Sequence, residues 1–417
     1  MHKTGSNNEI VVDGPVIVGA GIVGLATAWH LLDNKLCDHV AVVDKAAGPA
    51  AHQTGHNSGV IHSGIYYRPD SKRASWCRDG KNRLVAFCRK HNLPFEMCGK
   101  VIVATRKSQT DQLHKLYERG KENKIEDIEL LDARRLRSLE PGCSGAAAIR
   151  VGSAGITDFS LICQKLAELI RQNGGSIYLE KEVSDVAVQH DGLRLKLRSV
   201  NHPGGGESDL NARFLINCAG LQSDRIALMA GQDPGARIIP FRGEYYKIKS
   251  GKQHLVRNLI YPLPDERFPF LGVHCTRMIN GEAECGPNAV FSLSREGYSR
   301  WDVNKKDLKD ALTYNGFRKL AQKYWKTGLK EVQRSFSKRA FTRAVQELVP
   351  DLKKDDLVMT TPGIRATAID PGGRIIDDFH MITGNRQLHV INAPSPAATA
   401  AFRIGEEIAK KMISSAS

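Results

Sequence analysis

The sharpest change of pattern in the chain falls at residues 16–24, Val-Ile-Val-Gly-Ala-Gly-Ile-Val-Gly. A β-branched run enters three glycines, and Leu25, Ala28, Trp29, Leu31 and Leu32 then recur at helical intervals. That is the pattern of a buried strand, a tight turn and an amphipathic helix. A second apolar run at 40–43 predicts a parallel strand beside the first. The first 15 residues read as a loose leader.

Residues 52–67 are dense in Gly, Ser, Asn and His and predict a loop. Helical periodicity returns over 72–91, with Leu84, Phe87 and Cys88 on one face. A short strand at 101–104 precedes polar helices over 108–140. Residues 156–173 predict a helix with Leu161, Leu166, Leu169 and Ile170 as its stripe, stopped by Gly174-Gly175. A strand at 176–179 follows. Residues 193–200 alternate apolar and basic side chains, the mark of an antiparallel strand with one wet face, and a turn at 201–206 ends it. The run 214–218 reads as a buried strand that leads into Ala219-Gly220, with Asp224 just beyond. Residues 236–298 hold short strands, aromatics and prolines, and predict a second, mostly antiparallel sheet. Residues 302–345 are helical and basic, and 355–417 return to the first domain. The last helix has Ser395 as its predicted cap and Pro396 at its first position.

The glycine spacing has a mechanical reason. Gly19 permits the turn, Gly21 lets backbone approach a pyrophosphate, and Gly24 lets the helix pack closely on its strand. The amides at the helix N-terminus then face the anion. Asp44, at the end of the second strand, is placed to accept from adenosine ribose hydroxyls, and its charge disfavours a 2′-phosphate, so NADP is not expected.

Length and composition bound the rest. At 417 residues the chain is long enough for two lobes, and 41% hydrophobic with 25% charged residues is the composition of a soluble globular protein. No apolar run reaches the roughly 20 residues of a membrane-spanning helix. The leader holds one Lys, no Arg and two acids, Glu9 and Asp13, which is wrong for a mitochondrial presequence. The expectation is a cytoplasmic protein, peripheral on the inner face of a bacterial membrane at most, or a mitochondrial one whose presequence has been removed. Nine cysteines at irregular spacing suit reduced thiols, with no disulfide framework and no metal site. A formal charge of +15 suits an anionic substrate, cofactor, membrane surface or nucleic acid without choosing among them.

The most specific stretch is 54–67, Thr-Gly-His-Asn-Ser-Gly-Val-Ile-His-Ser-Gly-Ile-Tyr-Tyr. With it come Pro-Phe-Arg-Gly-Glu-Tyr-Tyr at 240–246, Leu-Ile-Tyr-Pro-Leu-Pro at 259–264 and Pro-Phe-Leu-Gly-Val-His at 269–274. Gly-Pro-Asn-Ala at 286–289, Gly-Ile-Arg-Ala at 363–366 and Asn-Ala-Pro-Ser-Pro-Ala-Ala-Thr at 392–399 complete the set. On these motifs the chain resembles the flavin-dependent L-2-hydroxyglutarate dehydrogenases and oxidases, within the D-amino-acid-oxidase-like superfamily. The resemblance implies an α/β fold: a Rossmann-like FAD-binding domain with an inserted substrate domain of antiparallel sheet and helices. The expected division is 1–95, 151–235 and 356–417 for FAD, and 96–150 and 236–355 for substrate. It implies oxidation of a small dicarboxylate hydroxy acid, L-2-hydroxyglutarate, to 2-oxoglutarate, with electrons passed to a quinone, another carrier or oxygen. A related activity on glycerol 3-phosphate or an amino acid is the alternative. Asp44 is a departure, because such families often carry Glu there.

The expected cofactor contacts are Gly19, Gly21, Gly24, Asp44, Lys45, Thr54, Gly55, His56, Asn57, Ser58, Val183, Ala219, Gly220, Asp224, Gly372, Gly373, Pro396, Ala397, Ala398 and Thr399. His52, His56 and His62 are possible sites of covalent flavin attachment, with non-covalent binding expected. Oxidising a 2-hydroxy dicarboxylate takes a base for the hydroxyl proton and cations for two carboxylates. His62 and His274 are the candidate bases, since His titrates near working pH. Arg242 and Arg365 are the leading clamps, because guanidinium binds carboxylate bidentately, and Arg277 stands behind them. Tyr245, Tyr246 and Tyr261 either bond a carboxylate or simply pack.

From 305 to 343 there are 12 Lys and Arg against three acids, with Phe317, Leu320, Tyr324 and Trp325 at near-helical spacing. A solvated basic face is the plain reading, and an anionic membrane surface is the sharper one. Nucleic acid is not expected, for no such motif accompanies the charge.

Overall fold

Strand Glu9–Val18 carries the chain into the glycine turn from the middle of a sheet. In the computed structural model, which describes residues 9–416 apart from 202–205 and 265–270, it pairs in parallel with Ser208–Asn217 on one side. Ala41–Val43 lies parallel on its other side, and Ser176–Tyr178 lies beyond that. Gln387–Asn392 adds a fifth parallel strand beside the end of Ser208–Asn217. The strand begins at Glu9 and not at residue 16, so 9–15 are no loose leader. Val11 faces out while Val12 is buried, and the register shifts between Val12 and Pro15. That break in alternation hides the strand in the sequence. Residues 1–8 of the expected leader and most of the turn at 201–206 lie outside the described residues, as do the first two residues of the 269–274 motif.

One face of this sheet is covered by helices Ile22–Asp33, Phe159–Gln172, Lys72–Lys90 and Ala397–Ala416. Leu25, Leu31, Leu84, Leu166, Ile404 and Ile408 are fully buried there, each stabilising the fold by roughly 1.5–3 kcal/mol. The antiparallel strands Lys181–Val188 and Leu193–Ser199 extend the sheet beside the first half of Ser208–Asn217, and their Leu193, Leu195 and Leu197 join Val16, Val18 and Val43 in a second core cluster. The helix expected over 156–173 is a strand, Gly155–Thr157, followed by a helix that Asp158 caps. Leu161 consequently faces out, and the stripe is Phe159, Ile162, Cys163, Leu166, Ala167 and Ile170. The last helix opens at Ala397, so Ser395 is not its cap.

The second sheet has eight strands in the order Leu357–Met359, Tyr246–Ile248, Ala283–Gly286, His274–Arg277, Leu259–Pro262, Lys100–Ala104, Ala147–Val151, Ile128–Asp132. All neighbours are antiparallel except Leu259–Pro262 beside Lys100–Ala104. Ile128–Asp132 lies inside the stretch that reads as polar helices, because an edge strand is only half buried. Helix Lys338–Gln346 packs Phe341 and Val345 against this sheet. A three-stranded sheet, Val290–Phe291, Arg237–Gly243 and Gly363–Ile369, stands between the two large ones in sequence and lends Gly243 and Arg365 to the cavity described next. The basic stretch is three helices, Lys305–Thr313, Asn315–Phe336 and Lys338–Gln346. All nine cysteines are free thiols.

Candidate active site

A cavity of about 920 Å³ opens at the C-terminal ends of the parallel strands, where ligands bind in open α/β sheets. Its first end is built by the glycine turn. Gly19 has φ +114°, and a Cβ there would sit 2.4 Å from the Cys218 carbonyl; at Gly24 it would sit 2.0 Å from the Gly19 carbonyl. These two glycines are fixed by chain packing; Gly19 and Gly21 line the cavity and Gly24 does not. Gly21, at the helix N-cap, has no side chain to cap the amides, and Thr54 Oγ1 accepts from the Ile22 amide at 3.1 Å instead. The remaining amides of this positive end are directed at the cavity.

Asp44 lines the same end. Its Oδ2 accepts from the Ala20 amide at 2.7 Å and its Oδ1 from the Ala46 amide at 2.8 Å, so its carboxylate is locked in place with lone pairs left over. Lys45 is ion-paired with Glu296, which also accepts from Gln222 at 2.6 Å; all three line the cavity. Val183, Ala219 and Gly220 line it too. Cys218, at the end of the run that reads as a buried strand, also lies on its wall. Asp224 does not. It is fully buried, ion-paired with Arg295, and accepts from the Ile238 amide at 3.0 Å, so its work is to join chain segments.

The loop 52–62 forms one wall. Thr54, His56, Asn57 and Ser58 line the cavity, while Gly55 is pressed on the Ala50 carbonyl. Asn57 is spent inside the loop: Oδ1 accepts from the Gly59 amide at 2.8 Å, and Nδ2 donates to the carbonyls of Gln53 and Thr54. The start of the last helix makes the facing wall with Pro396, Ala397 and Ala398. Thr399 sits just behind, its Oγ1 accepting from the His62 amide at 3.0 Å. Gly372 and Gly373 lie outside, in a turn with Asp370, where a Cβ on Gly373 would meet Lys319.

The inner end of the cavity gathers the ionisable groups. His62 Nε2 is 3.4 Å from Ser395 Oγ, and burial beside Lys100, His274 and Arg73 pulls its pKa down to about 3. His274 stacks on Tyr261 at 4.0 Å, and burial lowers its pKa to about 4. Its Nδ1 lies 2.9 Å from the Gly272 carbonyl. A carbonyl only accepts, so Nδ1 carries the proton and Nε2 keeps its lone pair. Arg365, buried near Tyr245, lines this end with Tyr245 and Tyr261.

Three expected residues are elsewhere. Arg242 is turned away, its guanidinium on Glu244 at 3.3 Å and on the Ser299 carbonyl at 3.1 Å. Tyr246 packs on Phe341 at 4.4 Å. Arg277 is bound to Glu96 at 2.5 Å and to the Arg257 carbonyl at 2.6 Å.

Sequence reading missed Lys100, Arg73, Tyr66 and Tyr67. Lys100 is 2% exposed, and its Nζ lies 4.6 Å from the Tyr66 ring and 5.1 Å from the Tyr261 ring. Burial lowers its pKa to about 8. The signal was available: a lysine leading the apolar run Val-Ile-Val-Ala at 101–104. Arg73 lines the cavity over the Tyr67 ring at 4.3 Å, holding the Ser395 carbonyl. Tyr66 has its hydroxyl buried on the same wall.

The cavity thus offers an anchored acid and free helix amides at one end, small residues along the middle and cations at the other. This donor set fits FAD. The comparisons agree. The FAD dependent oxidoreductase family model matches residues 16–411. An L-2-hydroxyglutarate dehydrogenase of Indibacter alkaliphilus is 47% identical over 391 residues, 94% of this chain and 96% of that protein. The Escherichia coli K12 protein of that name is 41% identical over 95% of this chain and 92% of its own length, and a mitochondrial one from Nematostella vectensis is 41% identical over 95% and 89%. In fold, the chain is similar to the FAD-bound L-alpha-glycerophosphate oxidase of Mycoplasma pneumoniae, with a TM-score of 0.76 at 22% identity, covering 97% and 95% of the two chains. With its glycine turn, its anchored acid and its full-length relatives in agreement, the chain belongs to the FAD dependent oxidoreductase family.

Proposed function

We propose that the protein oxidises L-2-hydroxyglutarate to 2-oxoglutarate. The observation that carries this reading is the inner end of the cavity, where the cations Arg365 and Arg73 stand beside the neutral imidazoles of His62 and His274, with Lys100 behind the Tyr66 and Tyr261 rings. Relatives that bear the name of this activity extend over nearly the whole chain and support the same substrate. FAD, when bound, supplies the hydride acceptor.

The residues of the chain do the rest. Arg365 takes one substrate carboxylate through its fork, and Tyr245 and Tyr261 border the same space. Lys100 acts through the Tyr66 and Tyr261 rings and makes that end of the cavity favourable for a second negative charge. His274 Nε2 accepts the hydroxyl proton, held in that tautomer by Gly272. His62 remains neutral and fixes Ser395 and the start of the last helix. The Ala398 amide, at the start of the last helix, would be a donor toward the flavin ring, while that of Ala397 is spent on the Pro394 carbonyl at 2.9 Å. Asp44, Gly21, Thr54, Val183, Ala219 and Gly220 hold the adenylate and pyrophosphate.

Electrons then pass to a quinone or other carrier at an anionic membrane surface. On helix Asn315–Phe336, Trp325, Leu329, Val332 and Phe336 are exposed at intervals of four, three and four, which makes one apolar stripe. Lys323, Lys326 and Lys330 lie in the same stretch. An unpaired apolar stripe edged by lysine is the pattern of a helix lying in a lipid interface. Among the described residues, no helix is long and apolar enough to cross a membrane.

Anaerobic bleaching of the flavin absorbance tests the substrate. L-2-hydroxyglutarate is expected to bleach it. Bleaching by glycerol 3-phosphate or an amino acid instead, with none by L-2-hydroxyglutarate, would sink the reading.

A further inference from the structure

Beside the main cavity lies a second pocket of about 300 Å³, lined by Arg242, Tyr298, Arg300, Trp301, Met359 and Pro362 among others. We propose that this pocket receives the ring of the quinone that reoxidises the flavin, a proposal that rests on the reading of quinone as acceptor given above. Three independent features of the chain lead there.

The first is the wall between the two spaces. Tyr298 lines the second pocket, its ring lies 4.2 Å from that of His56, and its hydroxyl is 3.2 Å from His52 Nδ1. Both histidines line the main cavity. The tilted ring pair of Tyr298 and His56 therefore forms part of the wall between the two spaces.

The second is charge. The Glu244 carboxylate is shared by Arg242 at 3.3 Å, Arg300 at 3.4 Å, Ser335 at 2.7 Å and Asn288 at 3.0 Å. With Asp302 also acting on Arg242, two guanidiniums face two carboxylates, and the mostly buried network carries no net charge. Such a network does not select a dianion, which Arg365 and Lys100 serve better. It suits neutral carbonyl oxygens that become negative as electrons arrive.

The third is the rim. Trp301 is 77% exposed, and Met359 and Phe336 are also exposed, with Arg300 lying 3.8 Å from the Met359 sulfur and 5.4 Å from the Phe336 ring. A planar apolar ring entering the pocket would cover Trp301 and Met359. Phe336 also ends the apolar stripe of helix Asn315–Phe336, so the mouth adjoins the surface assigned to the membrane.

The step balances without a further reactant. Two electrons and two protons leave the dihydroflavin, which returns to oxidised flavin, and both quinone oxygens become hydroxyls. The Tyr298–His56 contact joins the wall of the main cavity to the second pocket, and the Arg300 guanidinium offsets the charge that builds on the nearer oxygen.

The test uses the flavin-loaded protein and a short-chain azidoquinone. Photolabelling followed by peptide mapping is expected to mark residues 298–301 or 357–362. In stopped-flow, dithionite-reduced Arg300→Ala and Trp301→Ala proteins should be reoxidised by a short-chain ubiquinone analogue at least tenfold more slowly than the parent. Trp301 is too exposed to contribute much to folding, so its variant stays informative if Arg300→Ala disturbs Glu244. Bleaching by L-2-hydroxyglutarate occurs in the other cavity and reports on the functional reading separately. Label confined to the main cavity, or reoxidation of Trp301→Ala within twofold of the parent, overturns the proposal.

Discussion

Replacing Lys100 by Met should make the protein more stable and a poorer enzyme at once. Lys100 is 2% exposed, and burial lowers its pKa from 10.5 to about 8. A lysine whose folded-state pKa lies below its unfolded value costs stability wherever both states hold the proton. Here that is below pH 8, and the cost disappears as pH rises from about 8 to 10.5. At about 1.4 kcal/mol per pKa unit the full cost is on the order of 3 kcal/mol. Met fills a similar volume without the charge, so at pH 7 it should recover roughly 1–3 kcal/mol, read as a higher urea midpoint. The same charge attracts the substrate. A carboxylate across the Tyr66 or Tyr261 ring stands about 8 Å from Nζ, which at an effective dielectric near 20 is worth roughly 2 kcal/mol. Loss of that attraction should raise the substrate dissociation constant about thirtyfold, measured by anaerobic titration of the flavin absorbance. The parent should show the same weakening as pH is raised above 8, and the Met variant should not. An unchanged urea midpoint together with an unchanged dissociation constant would refute the account of Lys100.

Other perturbations separate the remaining roles. Asp44→Ala should weaken FAD binding by on the order of 1.5–3 kcal/mol, seen as flavin loss on gel filtration; full retention would remove Asp44 from the ribose site. His274→Ala should slow flavin reduction by roughly 10²–10⁴-fold with little change in substrate affinity, while His62→Ala should act mainly through the position of the last helix; the reverse ranking in stopped-flow would exchange the two roles. Because the His274 pKa is depressed from 6.5 to about 4, its contribution to stability is present above pH 6.5 and lost as pH falls toward 4, and His274→Ala should flatten that part of the urea midpoint profile. Lys→Glu changes at 319, 323, 326 and 330 should abolish flotation with acidic vesicles at low salt; flotation that ignores them leaves the basic helices as a solvated face.

What the sequence disclosed and what it hid divide along a physical line. The glycine turn was legible because its requirements are local: Gly19 sits at φ +114° and Gly24 packs on the Gly19 carbonyl, within one strand-turn-helix unit. Arg242 and Arg365 looked equivalent because each is an arginine in a mostly apolar strand. Their difference is set by register between strands more than a hundred residues apart. Arg237–Gly243 and Gly363–Ile369 are antiparallel, with Phe241 opposite Arg365 and Arg242 opposite Ile364. Residues directly opposite share a face and successive residues alternate, so the two arginines must point to opposite faces. One reaches the main cavity and the other reaches Glu244. The same alternation separates Tyr245, on the cavity, from Tyr246, on Phe341. Lys100 was hidden for a related reason. Its meaning comes from Tyr66 and Tyr261, which the chain supplies from a loop and from a neighbouring strand. A one-residue slip of Gly363–Ile369 would turn Arg365 to the face that Arg242 occupies and take it from the main cavity, so the register of these strands, more than the residue types they carry, decides which space receives each cation.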